Sequence, residues 1–527
     1  MKNYFVFMLL MASLSYGAEY EAGIQCYESG DYKCALFNWE PIANKGEAKA
    51  QHELGLLHAE GNGVPQNHVE AMSWFRKSAA QGFAKAQYSL GIMFENGMGV
   101  KLDHWEAFRW YKLAAEQGHS FGQHNLAKLY FDGRGVEKDL NKAAMWYEKA
   151  AKQGDAKASY SLATMYIYTD LTGGKNYEKA IGWYRKAAEL GDATGQYALG
   201  ITYAQGYGTK KDHEEAEKWY RKAAEQGHVE AQLSLGESLY QGMGVKQDYV
   251  EAVKWNREAA ESGHAGAENN LGIAYFYGQG VKLDYSEALR WFRKAVEQEN
   301  MYAQNSLGLS YAKGQGVKQD YVDALKWFQK SADLGYSDAQ YNLGYAYFHG
   351  QGVKQDYNQA LIWYRKAAEQ GNAEAQFNLG LLYSQENFKM DTVEAAKWYK
   401  SAAAKGHGDA QVYLAAMHVG GVGVHNAAEA NRLYNLACNT DPRPNCGSLK
   451  ELIEIDAKKV FVVVVAKDKS LVAGDAITTK NMQVRRISLD VLPDDYVTPG
   501  HFAEIEEEIL ERNVEPGAPI RLSDIVN

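Results

Sequence analysis

The ionisable side chains of this sequence recur along it at regular intervals and do not form the pattern of a known active site. No His-Glu-x-x-His, Gly-x-Ser-x-Gly or paired-cysteine zinc spacing occurs. His119 and His124 are five residues apart, but a metal site needs three or four converging ligands. The histidines that follow a repeat-ending glycine are expected in solvated loops: His119, His228, His264 and His407. We predict no catalytic residue, no metal site and no cofactor.

The carboxylates support the same interpretation. Glu225, Glu297 and Glu369 recur with a constant spacing. That spacing is typical of a solvated helix face with i,i+4 partners and argues against a general acid–base pair. The net charge is −10 and the sequence contains no concentrated run of lysine and arginine. Because phosphate binding needs such a run, the charge argues against a nucleic-acid partner, and we predict none.

Residues 1–17 have the pattern of a signal peptide. Lys2 gives a positive start, an apolar stretch runs from Tyr4 to Leu14, and Ser15-Tyr16-Gly17 is a small-x-small cleavage site. We therefore expect an exported mature protein that begins at Ala18, in the periplasm or secreted. No later apolar run approaches the roughly 20 residues of a membrane helix. An uncleaved anchor is the alternative, which the short apolar stretch disfavours.

Four cysteines occur as two pairs, each with seven residues between its members. An even count in an exported chain predicts two disulfides, Cys26–Cys34 and Cys438–Cys446. Neither pair has the two-residue spacing of thioredoxin-like or zinc motifs, so a redox or metal role is the weaker interpretation.

The sequence contains a repeat that is marked by two anchor residues, a leucine and a tryptophan. Successive anchor leucines are 36 residues apart, with one step of 37 and one of 35. A leucine followed by a small residue marks each step: Leu54, Leu90, Leu126, Leu162, Leu199, Leu235, Leu271, Leu307, Leu343, Leu379 and Leu414. Tryptophan keeps the same interval: Trp39, Trp74, Trp110, Trp146, Trp183, Trp219, Trp255, Trp291, Trp327, Trp363 and Trp398. A period of this length predicts a solenoid.

Each period predicts a hairpin of two amphipathic helices. Ala339, Leu343, Ala346 and Tyr347 lie on one helical face, and a second apolar face recurs around Trp363. Glycine pairs such as Gly350 and Gly352 should supply the positive φ of the connection between the helices. These pairs follow a helix and not a strand, which argues against a nucleotide-binding loop. Two periods lack the pair, at 170–175 and 385–391.

The recurring pattern resembles the Sel-one-like repeat (SLR), a relative of the tetratricopeptide repeat. It reads Ala-x-Ala-Gln-x-x-Leu-Gly, then Gly-x-Gly-Val, then Asp-Tyr-x-x-Ala-x-x-Trp-Tyr-x-Lys-Ala-Ala, and covers residues 20 to 440. The resemblance implies an all-α solenoid over 18–440, with about twelve antiparallel helix pairs in a right-handed superhelix. It also implies a scaffold or adaptor that binds a protein or peptide partner.

A second domain is expected after the array, because six of the eight prolines lie beyond residue 441. Residues 441–458 are predicted to form a linker and capping helix, and Val460–Val465 a strand. Leu471–Ile477 with Asn481 is echoed 43 residues later by Val514–Ile520 with Asp524. Residues 459–527 thereby resemble a SAF domain, a small β-rich β-clip module found in sialic acid synthases and in periplasmic proteins that assist appendage assembly.

One column of the repeat is a candidate binding site. The residue before each anchor leucine is mostly short and polar. In tetratricopeptide-like arrays the first helices line a concave groove, where an asparagine often holds a ligand backbone. The resemblance therefore implies a groove, with close packing by small residues as the alternative. The asparagines of the column are Asn125, Asn270, Asn342 and Asn378.

The expected function is that of a non-enzymatic periplasmic scaffold. Its concave surface would hold a protein, and the SAF domain would dock to envelope machinery. Two alternatives remain at this point: a periplasmic chaperone for pilus- or flagellum-type appendage assembly, and an enzyme acting on cell-wall material or β-lactams.

Overall fold

The computed structural model describes residues 17–169, 171, 174–385, 388, 390–420, 427–438, 459–465, 482–488, 509–510 and 525–526. Four predictions fall wholly or largely outside these residues. They are the signal peptide, the Cys438–Cys446 disulfide, the linker and capping helix of 441–458, and most of the SAF domain. Those predictions stay predictions.

The described helices alternate between a first and a second helix of each hairpin. Helix α1 covers 17–28. The others are α2 Tyr32–Asn44, α3 Ala48–Glu60, α4 His68–Ala80, α5 Ala84–Asn96, α6 His104–Glu116, α7 Ser120–Asp132, α8 Leu140–Lys152, α9 Ala156–Tyr168, α10 Tyr177–Glu189, α11 Ala193–Gln205, α12 His213–Glu225, α13 Val229–Gln241, α14 Tyr249–Glu261, α15 Ala265–Tyr277, α16 Tyr285–Glu297, α17 Met301–Lys313, α18 Tyr321–Asp333, α19 Ser337–His349, α20 Tyr357–Glu369, α21 Ala373–Tyr383, α22 Thr392–Ala404, α23 Gly408–Gly420 and α24 Ala427–Cys438.

The chain forms two compact units, 1–291 and 292–527. Within each unit, helices that follow one another in the chain pack against each other. These are the contacts of a solenoid, so the prediction of twelve helix pairs is confirmed. In the second unit, β1 (Lys459–Val465) pairs antiparallel with β2 (Met482–Ser488), and β3 (Ile509–Leu510) with β4 (Ile525–Val526).

Polar caps and glycines set the helix ends. Asp248 caps α14, because its Oδ1 accepts hydrogen bonds from the backbone N–H of Val250 and Glu251, both at 2.9 Å. Gly350 and Gly352 have φ values of 69° and 70°, as predicted for the connection. A Cβ on Gly352 would also lie 2.4 Å from the carbonyl oxygen of Tyr321. The second glycine is thus required both by its positive φ and by the close approach of the Tyr321 carbonyl.

Close contact between the two helices of a hairpin explains the small residue after each anchor leucine. A Cβ on Gly200 would lie 2.5 Å from ring atoms of Tyr220, which follows the tryptophan of the second helix. The same aromatic contact recurs at Gly55, Gly91, Gly308, Gly344 and Gly380, at 2.4 to 2.7 Å. In the repeats with Ala127 and Ala163, both fully buried, the residue is alanine. The position therefore takes nothing larger than alanine.

A buried glutamine in each of several first helices links neighbouring hairpins. The Nε2 of Gln196 donates to the carbonyl of Ala188 at 3.2 Å, and its Oε1 accepts from Nε2 of Gln226 at 2.7 Å. Only 5% of Gln196 is exposed. The carbonyl belongs to the end of the preceding second helix, and Gln226 to the end of the next one. The Ala188 carbonyl also accepts from the backbone N–H of Gly191 at 3.1 Å, so the amide adds a second hydrogen bond at this helix end and links it to the end of the next second helix.

The predicted disulfide Cys26–Cys34 is present and joins α1 to α2. It lies within the first described hairpin of the array. A covalent link there restricts the unfolded chain in the chain-entropy account of disulfide stabilisation.

We predict that Gly200→Leu lowers the free energy of unfolding by about 3 kcal/mol, because the new side chain overlaps the buried Tyr220 ring. Gly182→Leu is the matched control. Gly182 lies within α10, and its Cβ would have no atom within 4 Å. There leucine should stabilise by about 1 kcal/mol through helix propensity. Urea unfolding followed by circular dichroism measures both, and similar midpoints for the two variants would contradict the close-contact account.

Candidate functional site

The four asparagines of the predicted column lie on first helices, at α7, α15, α19 and α21, and each is half-buried. In the second unit, Nδ2 of Asn342 donates to Oδ1 of Asn305 in the preceding first helix, at 2.9 Å. Nδ2 of Asn378 donates to the carbonyl of Glu374 on its own helix, at 2.9 Å. The column therefore includes an inter-repeat contact that the sequence did not reveal.

The column behaves similarly in the first unit. Nδ2 of Asn270 donates to Oδ1 of Asn256 at 3.4 Å. Asn125 lies beside Tyr88 and Tyr111, whose pKa values are raised by burial and lowered in part by this amide. Asn270 and Asn342 thus contact neighbouring helices of the array, and the groove stays a prediction.

Three pockets open at equivalent places, where a first helix, its second helix and the next first helix meet. One lies between α13, α14 and α15 and has a volume of about 190 Å³. A second lies between α7, α8 and α9, with about 200 Å³, and a third in the other unit between α17, α18 and α19, with about 220 Å³. Each is lined by the column residue of the later repeat: Asn270, Ser161 and Asn342.

In two of these pockets the wall includes the aromatic residue that follows the tryptophan of the second helix, Tyr147 in one and Phe328 in the other. The pocket between α13, α14 and α15 has Tyr240 in its wall. Burial raises the pKa of Tyr147, so its hydroxyl stays protonated at neutral pH. A mostly apolar pocket with a short polar residue in its lining is suited to receiving one side chain of an extended polypeptide.

A serine, a histidine and a glutamate form a hydrogen-bonded chain near the start of the array. The Nε2 of His52 lies 3.3 Å from Oγ of Ser89, and its Nδ1 lies 3.2 Å from Oε1 of Glu53. The order resembles a nucleophilic triad. However, Ser89 and His52 are 9% and 5% exposed, and the Ser89 hydroxyl donates to the carbonyl of Lys85 at 3.0 Å. These contacts fit packing between repeats.

The histidines expected in solvated loops are helix caps instead. Nδ1 of His119 accepts from the backbone N–H of Gly122 at 3.1 Å, and burial lowers the pKa of His119. The same cap occurs at His228, His264 and His407. His124 lies beside Asp155, with 3.4 Å between Nδ1 and Oδ2. In the described part of the chain, no group of three or more His, Cys, Asp or Glu could hold a metal ion.

The described helices were compared with the length and hydropathy that a membrane-spanning helix needs. None of them is both long enough and apolar enough to cross a bilayer.

The repeat itself decides the family. Eleven copies of the Sel1 repeat match residues 48–83, 84–119, 120–155, 156–192, 193–228, 229–264, 265–300, 302–336, 337–372, 373–407 and 408–439. The chain belongs to the Sel1 repeat family. Sel1 repeat proteins are protein–protein interaction scaffolds. No curated protein matches the chain significantly.

A solved structure shares the fold of this Sel1 repeat protein. The crystal structure of a protective antigen present in uropathogenic Escherichia coli strains, which displays an SLR fold, is 35% identical. That match covers 80% of this chain and 90% of the other, with a TM-score of 0.68. A Sel1 repeat protein from Oxalobacter formigenes is 32% identical, covering 46% of this chain and 96% of that chain, with a TM-score of 0.41.

We predict different roles in stability within the asparagine column. Asn342→Ala should lower the free energy of unfolding by about 1 to 2 kcal/mol, because Asn305, only 6% exposed, loses the amide that donates to it. Asn378→Ala removes a bond to its own helix and replaces Asn with a better helix former, so its effect should stay within about 0.5 kcal/mol. Urea unfolding measures both. A larger loss for Asn378→Ala would contradict the assignment.

Proposed function

We propose that this chain is a non-enzymatic scaffold that holds an extended segment of a partner protein against the first helices of its hairpins. The observation that carries the proposal is the recurrence of equivalent pockets, each lined by the residue before an anchor leucine. Two of them lie three hairpins apart in the first unit, and the third lies in the other unit. Within a unit, pockets at equivalent positions can each receive a separate side chain of an extended segment. The short polar residues beside them can pair with its backbone.

The binding energy would come from many modest contacts. Each asparagine amide still has capacity for further hydrogen bonds, since it can donate two and accept two. The aromatic walls supply apolar contact, and anchors in well-packed pockets contribute most of the affinity of a protein interface. A partner contacting several repeats would add these contributions.

Export and docking belong to the same proposal. The Cys26–Cys34 disulfide supports an oxidising compartment, because disulfides persist outside the cytosol. With residues 1–17 as a signal peptide, the periplasm is the proposed location, or the protein is secreted. Residues 459–527 would form the SAF domain that docks the scaffold to envelope machinery.

The proposal predicts that Asn270→Ala, Asn342→Ala and Asn378→Ala together weaken capture of partner proteins from an envelope extract. About 1 kcal/mol should be lost for each neutral hydrogen bond. The matched control removes three amides from exposed loops, by Gln247→Ala, Gln319→Ala and Gln355→Ala. Those glutamines donate only to nearby loop and helix groups, chiefly the carbonyls of Tyr240, Ala312 and Phe348.

Quantitative mass spectrometry of the captured proteins should show loss with the asparagine triple variant and none with the glutamine triple variant. Circular dichroism establishes that both are folded. If the folded asparagine variant captures the same proteins at the same level, the column is packing and the groove assignment is wrong.

A further inference from the structure

Two departures from the repeat coincide in the hairpin of α13 and α14. Glu237 lies two residues after an anchor leucine, where nearby first helices carry Ile201, Ile273 and Leu309. Asn256 follows Trp255, where other second helices place an aromatic ring such as Tyr220. An acid and an amide have therefore replaced two apolar side chains in one repeat.

The two residues line the same pocket. Its wall includes Ala252, Val253 and Ala274, with Asn270 entering from α15. Asn256 is 5% exposed, and its Nδ2 donates to the carbonyl of Ala252 at 3.0 Å. Its Oδ1 accepts from Nδ2 of Asn270 at 3.4 Å, and Asn270 lies beside Glu237. The Glu237 side chain therefore lines the pocket next to the two amides.

Among the residues the structure describes, no lysine or arginine forms an ion pair with Glu237. Its charged or titratable neighbours are His264, Tyr197 and Tyr220. Burial raises the pKa of Glu237, while the Asn270 hydrogen bond and His264 act in the opposite direction. A partly desolvated carboxylate of this kind is stabilised by an opposite charge placed beside it.

The size of the pocket limits what can occupy it. Its volume of about 190 Å³ is below the roughly 300 Å³ at which small-molecule sites begin. Apolar walls around one carboxylate match a side chain with an aliphatic stem and a cationic end. We propose that the pocket lined by Glu237, Asn256 and Asn270 receives a lysine or arginine side chain of the bound segment. This inference rests on the proposed peptide-binding function and specifies which type of side chain the bound segment presents.

A random peptide library displayed on phage, selected on the full chain, tests the proposal. Selected peptides should share a basic residue. Replacing that residue by glutamine in a synthetic peptide should weaken binding in calorimetry about tenfold or more, the value of a charged hydrogen bond. Glu237→Gln should remove most of this difference. Asn256→Tyr should also remove the basic preference, because the new ring would fill the pocket. It would pack there as the Tyr220 ring packs against Gly200 in the preceding hairpin.

The control is Glu225→Gln, which removes an exposed carboxylate from α12 and should leave the preference unchanged. Thermal unfolding shows that each variant is folded. Peptides selected without a basic residue, or a basic preference that survives in both Glu237→Gln and Asn256→Tyr, would overturn the specificity and leave the scaffold function standing. If no peptide is enriched, both fail.

Discussion

The structure depends on how closely the two helices of each hairpin approach. A glycine or alanine after the anchor leucine lets an aromatic ring of the second helix lie where a larger side chain would be. Close approach fixes the position of each hairpin against the next, since packed interiors leave few voids. It also places the buried glutamine within reach of the neighbouring helix ends. A solenoid built this way is stabilised by local contacts that repeat at every step.

The proposed function follows from where that packing is incomplete. The pockets form where a first helix, its second helix and the next first helix leave space between them. In most repeats a ring occupies part of that region. In the hairpin of α13 and α14, Asn256 replaces the ring and Glu237 adds a charge. The repeat supplies a general surface, and its departures supply specificity.

The period of leucine and tryptophan was sufficient to predict the helices, because apolar spacing on a helix directly reports the buried face. The positive φ of Gly350 and Gly352 and the Cys26–Cys34 bridge were predictable for local reasons. The contact between Gln196 and Gln226 was not, since it joins residues 30 positions apart. The caps at His119 and its equivalents were also missed, because histidine is an uncommon cap. The asparagine column lies on first helices, but its contact with Asn305 depends on the spacing of neighbouring repeats, which the sequence does not give.

The central claim is that a partner lies on the first helices. Site-specific photo-crosslinking tests it most directly, with a benzophenone amino acid placed at Ile273 or Tyr345, which line pockets on first helices. Val250 and Val322, exposed by 69% and 51% on second helices, are the comparison positions. The account predicts adducts with partner protein from positions 273 and 345 and little from 250 and 322. Equal yields, or stronger adducts from the second helices, would contradict it.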